Sequence, residues 1–157
     1  MLRIAPAFAA DAATIAHLSR HVHQLHLDNL PHFFRQSTDA EVEAALGRML
    51  AQANVRAFIA YMDDAPAGYV LAMVNERPAN EFCHARRYVL VDQISVEPEW
   101  ARQGIGQQLV QAVVDYARSI GVHELEAHVW AFNDRSQAFF QAFGFAPKTR
   151  QFWMMLE

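Results

Sequence analysis

Gln93-Ile94-Ser95-Val96-Glu97-Pro98-Glu99-Trp100-Ala101-Arg102-Gln103-Gly104-Ile105-Gly106 is the stretch whose reading decides the fold. It closes an apolar, β-rich run from Tyr88 to Val96, which Glu97-Pro98 ends because proline cannot donate to a ladder. It then opens a helix in which Ile105, Leu109, Val113 and Tyr116 recur at helical spacing until Gly121. Strand, glycine turn and helix in that order leave free backbone N–H groups at a helix N-terminus, where the peptide dipoles favour an anion. Glycine at 104 and 106 would let a phosphate-bearing ligand approach the main chain, which a Cβ would hinder. A Gly-x-Gly turn can also serve tight packing alone. Two rival phosphate motifs are missing: no Gly-Lys-Ser or Gly-Lys-Thr occurs, and Leu109 stands where a dinucleotide fingerprint has a third glycine or alanine.

Upstream, Leu2-Arg3-Ile4-Ala5 alternates as a short strand, and Asp11 is a candidate N-cap for the helical pattern Ile15, Leu18, Val22, Leu25. Asn29-Leu30-Pro31 ends that helix, and Thr38-Asp39-Ala40-Glu41 reads as a capping box for a second one running to about Ala53. Val55 to Tyr61 and Gly68 to Val74 are β-rich runs joined by the turn-forming Asp63-Asp64-Ala65-Pro66, which predicts a hairpin. Downstream, Leu125 to Trp130 alternates as a strand, Asn133-Asp134 can cap a helix that Gly144 ends, and Thr149 to Leu156 reads as a last strand. The order strand, two helices, three strands, helix, strand, helix, strand predicts a mixed α/β fold, expected as a single domain over residues 1–157.

Composition limits the function. Hydrophobic residues at 53% and charged residues at 19% describe a folded chain able to bury a core. A net charge of −4 offers no basic footprint, so nucleic-acid binding is not expected. One cysteine, Cys83, cannot form an internal disulfide, no signal peptide is evident, and no apolar run approaches a membrane span of roughly 20 residues. A cytoplasmic protein without membrane partners is the expectation.

The segment from Gln93 to Gly106 resembles the acyl-CoA-binding segment of the GNAT superfamily of N-acetyltransferases. Asn133, followed by Ser136, Phe139, Phe140, Phe143, Gly144 and Phe145, is similar to that family's later Asn…Phe-Tyr…Gly-Phe segment at the same spacing. The resemblance is clear over residues 88–146, while residues 17–54 carry no family motif. It implies a mostly antiparallel, splayed β-sheet flanked by helices on both faces. It also implies acetyl-CoA as cosubstrate, without a metal, and direct attack by a primary amine of a small molecule, peptide or protein in a ternary complex. Backbone groups of Ile94, Ser95 and Val96 would then pair with the pantetheine arm, and N–H groups of Arg102, Gln103, Gly104, Gly106 and Gln107 would cradle the pyrophosphate. Asn133 would bind near the pantetheine, and Phe140 would lie by the thioester sulfur. Dimerisation is common in the family, and Phe152, Trp153 and Met154 of the last strand are candidates for a homodimer contact.

Two positions depart from the family pattern. Ala101 replaces a usual Arg or Gln, and Phe140 stands where many relatives carry a tyrosine thought to protonate the departing thiolate. A catalytically weak acyl-CoA-binding or sensing module is therefore the alternative function. For the amine's proton, Asp92 is the candidate base; strand alternation gives it the same side as Ile94, and some polyamine-type relatives have an acidic residue there. The other reading of Asp92 is structural, holding a backbone amide or an arginine such as Arg86. His17, His21, His23 and His26 invite a metal, but their spacing spreads them around a helix without Cys or Glu at ligand spacing. His23, His26 or His32 could instead line the acceptor pocket, and one face of the strand carrying His128 and Trp130 could open on the cleft. Cys83 has no motif around it and reads as an ordinary loop cysteine.

Overall fold

The computed structural model describes residues 1–157. Five strands, β1 (Leu2–Ala7), β2 (Val55–Met62), β3 (Ala65–Arg77), β4 (Arg86–Val96) and β5 (Leu125–Ala127), form one open sheet in the order β1-β2-β3-β4-β5. The first four pair antiparallel and β5 joins β4 in parallel, so the sheet is mixed and mostly antiparallel. Helices α1 (Ala12–Asn29) and α2 (Asp39–Leu50) cover one face; α3 (Ile105–Ser119) and α4 (Asp134–Phe143) cover the other.

Each face has its own core because β-strand side chains alternate. Val70, Ala72, Val89 and Val91 pack with Ile105, Leu109, Val110 and Val113 of α3 and Phe140 of α4. Ile59, Tyr69 and Leu71 pack with Ile15 and Leu18 of α1 and Leu46 of α2. Each fully buried leucine or isoleucine contributes about 1.5–3 kcal/mol, enough in aggregate to order both layers.

Local chemistry sets the boundaries. Thr38 Oγ1 accepts the Glu41 N–H at 3.2 Å and Glu41 Oε2 accepts the Thr38 N–H at 2.8 Å, closing the capping box of α2. Asp63 and Asp64 take φ of 48° and 69°, the left-handed pair that a two-residue hairpin turn requires. Asp11 precedes α1, yet its carboxylate accepts the Phe8 N–H at 2.8 Å within a single 3₁₀ turn instead of capping α1 itself.

Two strand expectations are corrected. Of Leu125 to Trp130 only Leu125–Ala127 pairs, and residues 149–156 form no strand: no main-chain hydrogen bond ties them to any element. Phe152, Trp153, Met154 and Leu156 are exposed. The helix after Thr38 stops at Leu50, three residues before Ala53.

Candidate functional site

The β3–β4 register breaks once: Leu71 faces Gln93 while Ala72 faces Val91, leaving Asp92 as an extra, unpaired residue. Such a bulge resets the alternation of side chains. Val91 packs with the α3 core and so does Ile94, three residues on, whereas the charge of Asp92 is felt by Tyr69, which belongs to the α1 side. Asp92 and Ile94 therefore do not share a side, contrary to simple alternation. Nor does Asp92 hold Arg86, whose guanidinium pairs with Glu124 and Glu126.

The bulge also ends the pairing of β4 with β5, whose last partners are Val91 and Ala127. From Asp92 to Val96 one edge of β4 is open. The Glu97 N–H donates to the Ala67 carbonyl at 2.8 Å, which sets the phase of the antiparallel ladder. By that phase the main-chain groups of Gln93 and Ser95 face β3, and those of Ile94 and Val96 face the open edge. Ser95 is thus not available through its backbone. Its buried hydroxyl instead lies 3.1 Å from Nε2 of His21 on α1, whose Nδ1 stands 3.6 Å from Oε1 of Glu97.

Beyond a short turn at Pro98–Trp100 comes the glycine loop. Arg102 at φ 62° and Gly104 at φ 78° both adopt the left-handed conformation, which turns successive amides toward one side. The N–H groups of Arg102, Gln103, Gly104, Ile105, Gly106 and Gln107 make no hydrogen bond within the chain; the first donor of α3 is Gln108, to Gly104 at 3.1 Å. A helix start accounts for four free donors, and the loop adds two. The array can accept a pyrophosphate, which fits the acyl-CoA expectation. The two glycines serve different ends. A Cβ at Gly104 would meet only Gln107 at 3.9 Å, so its demand is conformational, whereas one at Gly106 would press on the Phe139 ring at 3.0 Å. Gly106 therefore lets α3 approach α4.

Asn133 caps α4, its Oδ1 accepting the Ser136 N–H at 3.0 Å, which leaves its side-chain NH₂ free. Phe140 is 6% exposed and edge-packed between Phe139 and Phe145, at 5.2 and 5.1 Å between ring centroids. It is chiefly a core residue. The Tyr69 phenol is pushed well above its ordinary range, first by burial and then by the charge of Asp92; it donates to Gln93 Oε1 at 2.8 Å and stays protonated.

The sequence did not single out His21 for chemistry beyond a metal. Its i, i+4 relation to His17 marked a helix face, but contact with Ser95 across 74 positions is a tertiary fact. The neighbouring histidines diverge: His23 Nε2 lies 3.0 Å from the Arg35 carbonyl and His26 stacks on Phe34 at 4.8 Å. No group of three His, Cys, Asp or Glu residues is arranged to hold a metal. Trp130, just past β5, meets Phe33 and Phe34, while Val129 beside it packs into the α3 core. Cys83 is exposed in the 78–85 connection, where Asn80 Oδ1 accepts the Phe82 and Cys83 N–H groups, both at 2.8 Å. No helix is long and apolar enough to cross a membrane.

The Acetyltransferase (GNAT) family matches residues 20–145, and the chain belongs to that family, whose chemistry is acetyl transfer. A comparison with curated proteins by sequence returns no match. Among solved structures, a tetramutant of the BH1408 protein of Bacillus halodurans is 19% identical with a TM-score of 0.92, covering 98% of this chain and 99% of that one. The aminoglycoside N-acetyltransferase AAC(6')-Iy in complex with CoA is 21% identical with a TM-score of 0.73, covering 99% and 95%. A ribosomal-protein-alanine N-acetyltransferase of Brucella melitensis biovar Abortus 2308 is 17% identical with a TM-score of 0.74, covering 99% and 100%. At such identities the likeness is one of fold, and these neighbours share the open sheet flanked by helices.

Proposed function

We propose that residues 1–157 act as one domain that transfers an acetyl group from acetyl-CoA to a primary amine of a small molecule, peptide or protein, by direct attack in a ternary complex. The observation that supports this most is the run of unpaired N–H groups from Arg102 to Gln107 beside the open edge of β4. Acetyl-CoA supplies an activated acyl thioester. Loop amides of Arg102, Gln103, Gly104, Gly106 and Gln107 hold its pyrophosphate, main-chain groups of Ile94 and Val96 pair with its pantetheine arm, and the free amide of Asn133 reaches the same arm.

A lysine-like ammonium, with a reference pKa near 10.4, must lose a proton to attack. Asp92, exposed on the bulge, is one acceptor; His21, between Ser95 and Glu97, is a second that this geometry adds. Phe140 has no hydroxyl, so the departing thiolate takes its proton from water or leaves as the anion, at moderate cost for a thiol of pKa about 8.5.

Phe140 is also what favours a second reading, a module that binds acyl-CoA without turnover. Calorimetry with acetyl-CoA and ATP, then release of free CoA thiol with a panel of amines, separates the readings. Acetyl-CoA binding and amine-dependent thiol release are expected. Binding with silence across the panel establishes the second reading, and ATP binding without a CoA response defeats both.

A further inference from the structure

The open edge of β4 has a lip on its far side. After Ala127 the chain no longer pairs with β4, and it reaches Trp130 three residues on. On the other side α1 is tied to β4 by the His21–Ser95 contact, and continues by about 7.5 Å along its axis to His26. Aromatic rings bridge the two. Trp130 lies 5.1 Å from Phe33 and 5.2 Å from Phe34, both edge-on, Phe34 stacks on His26 at 4.8 Å, and His26 meets Phe132 at 5.8 Å. These are edge-to-face and stacked pairs, a preorganised set of rings that takes up little side-chain entropy on binding.

The set is open to solvent, Phe33 being 65% and Trp130 37% exposed. An exposed apolar cluster beside a reaction cleft marks a ligand surface. The rings are apolar in character: burial, and secondarily the charge of the neighbouring His23, lowers the pKa of His26 and so disfavours its cationic form. A polycationic sugar needs carboxylates along its length; the five ring side chains, three Phe, one Trp and one His, carry none and offer ring faces and edges instead.

We propose that Phe33, Phe34 and Trp130, with His26 and Phe132, form the acceptor subsite, and that the acceptor is a primary monoamine on an aromatic or bulky apolar body rather than an aminoglycoside. This rests on the acetyl-transfer reading and narrows it. In the reaction, the amine nitrogen forms a bond to the acyl carbon, the carbon–sulfur bond breaks with its electron pair leaving on sulfur, and one nitrogen proton passes to a base. The rings hold the body of the acceptor so that its nitrogen reaches the open β4 edge.

The test uses the full chain with acetyl-CoA and compares kcat/KM for 2-phenylethylamine, ethylamine and an aminoglycoside, in the wild type and in Trp130→Ala. 2-Phenylethylamine is expected to exceed the other two by at least about tenfold, and the substitution to reduce that preference about tenfold through KM. Equal or better turnover of ethylamine or the aminoglycoside, or a preference unchanged in Trp130→Ala, overturns the proposal. If no amine releases thiol, calorimetry of 2-phenylethylamine on the CoA-loaded protein decides. Binding that Trp130→Ala removes supports the subsite while the transfer reading fails. No binding overturns the subsite as well.

Discussion

Gly68 and Gly47 should respond to alanine with opposite signs. A Cβ built on Gly68 of β3 lies 2.7 Å from the Ser95 carbonyl oxygen and 3.2 Å from Val96 Cα, both main-chain atoms of β4. Neither can move away without opening the ladder. Overpacking costs typically 1–3 kcal/mol, and a rigid obstacle puts Gly68→Ala near the top, about 3 kcal/mol. For a chain of this length that is a fall in Tm of roughly 6–12 °C. Gly47 lies within α2, where a Cβ would meet Ala12 Cβ at 3.9 Å, an ordinary contact. Gly47→Ala should then stabilise by about 0.8–1 kcal/mol through helix propensity alone. Denaturant titration followed by circular dichroism measures both. Because the displaced atoms lie on the β3-facing side of the same stretch of β4 whose opposite edge is proposed for the pantetheine arm, a shift of that stretch in Gly68→Ala should also weaken acetyl-CoA binding, whereas Gly47→Ala should not. Wild-type stability in Gly68→Ala would refute the claim that β3 and β4 are held at that separation.

Gly104→Ala, which forces a Cβ into the left-handed region, should cost about 1–2 kcal/mol, read as lost stability or weaker acetyl-CoA binding by calorimetry. Asp92→Asn should lower thiol release more at pH 7 than at pH 9, where more amine is already neutral; His21→Asn is the parallel test, and a pH–rate profile unchanged in a variant removes that residue as base. In acid, a cluster joining β4, β5 and the segment after α4 should weaken. Hydrogen bonds from Lys148 and Arg86 lower the pKa of Glu126, and those from Arg86 and Lys148 lower that of Glu124. Depressed carboxylates stabilise the fold above the ordinary glutamate value of 4.5 and lose that effect as pH falls through their lower native values. Glu126→Gln should therefore reduce the denaturation midpoint at pH 7 and converge on the wild type as pH falls below 4.5 and through the depressed native value; a constant difference would contradict the assignment.

What could be read along the chain was what local chemistry decides. The Gly104 turn, the Thr38 capping box, the Asp63-Asp64 hairpin and the Gly144 stop each depend on backbone preferences within a few residues. The sequence therefore determined the succession of elements up to α4 and the glycine loop with its free N–H groups. Residues 149–156 alternate like a strand, yet alternation cannot supply a partner for the ladder, and none is present.

Only the tertiary structure decided the rest of the site. The extra residue at Asp92 arises from register against β3, and that single offset moves Asp92 to the α1 side, turns Ile94 toward α3 and parts β4 from β5. His21 reaches Ser95, and Phe33 and Phe34 reach Trp130, only because α1 and the chain after β5 converge on that gap. The residues that would take the proton and the acceptor come from distant parts of the chain, and their meeting is set by packing across the sheet, which no local pattern encodes.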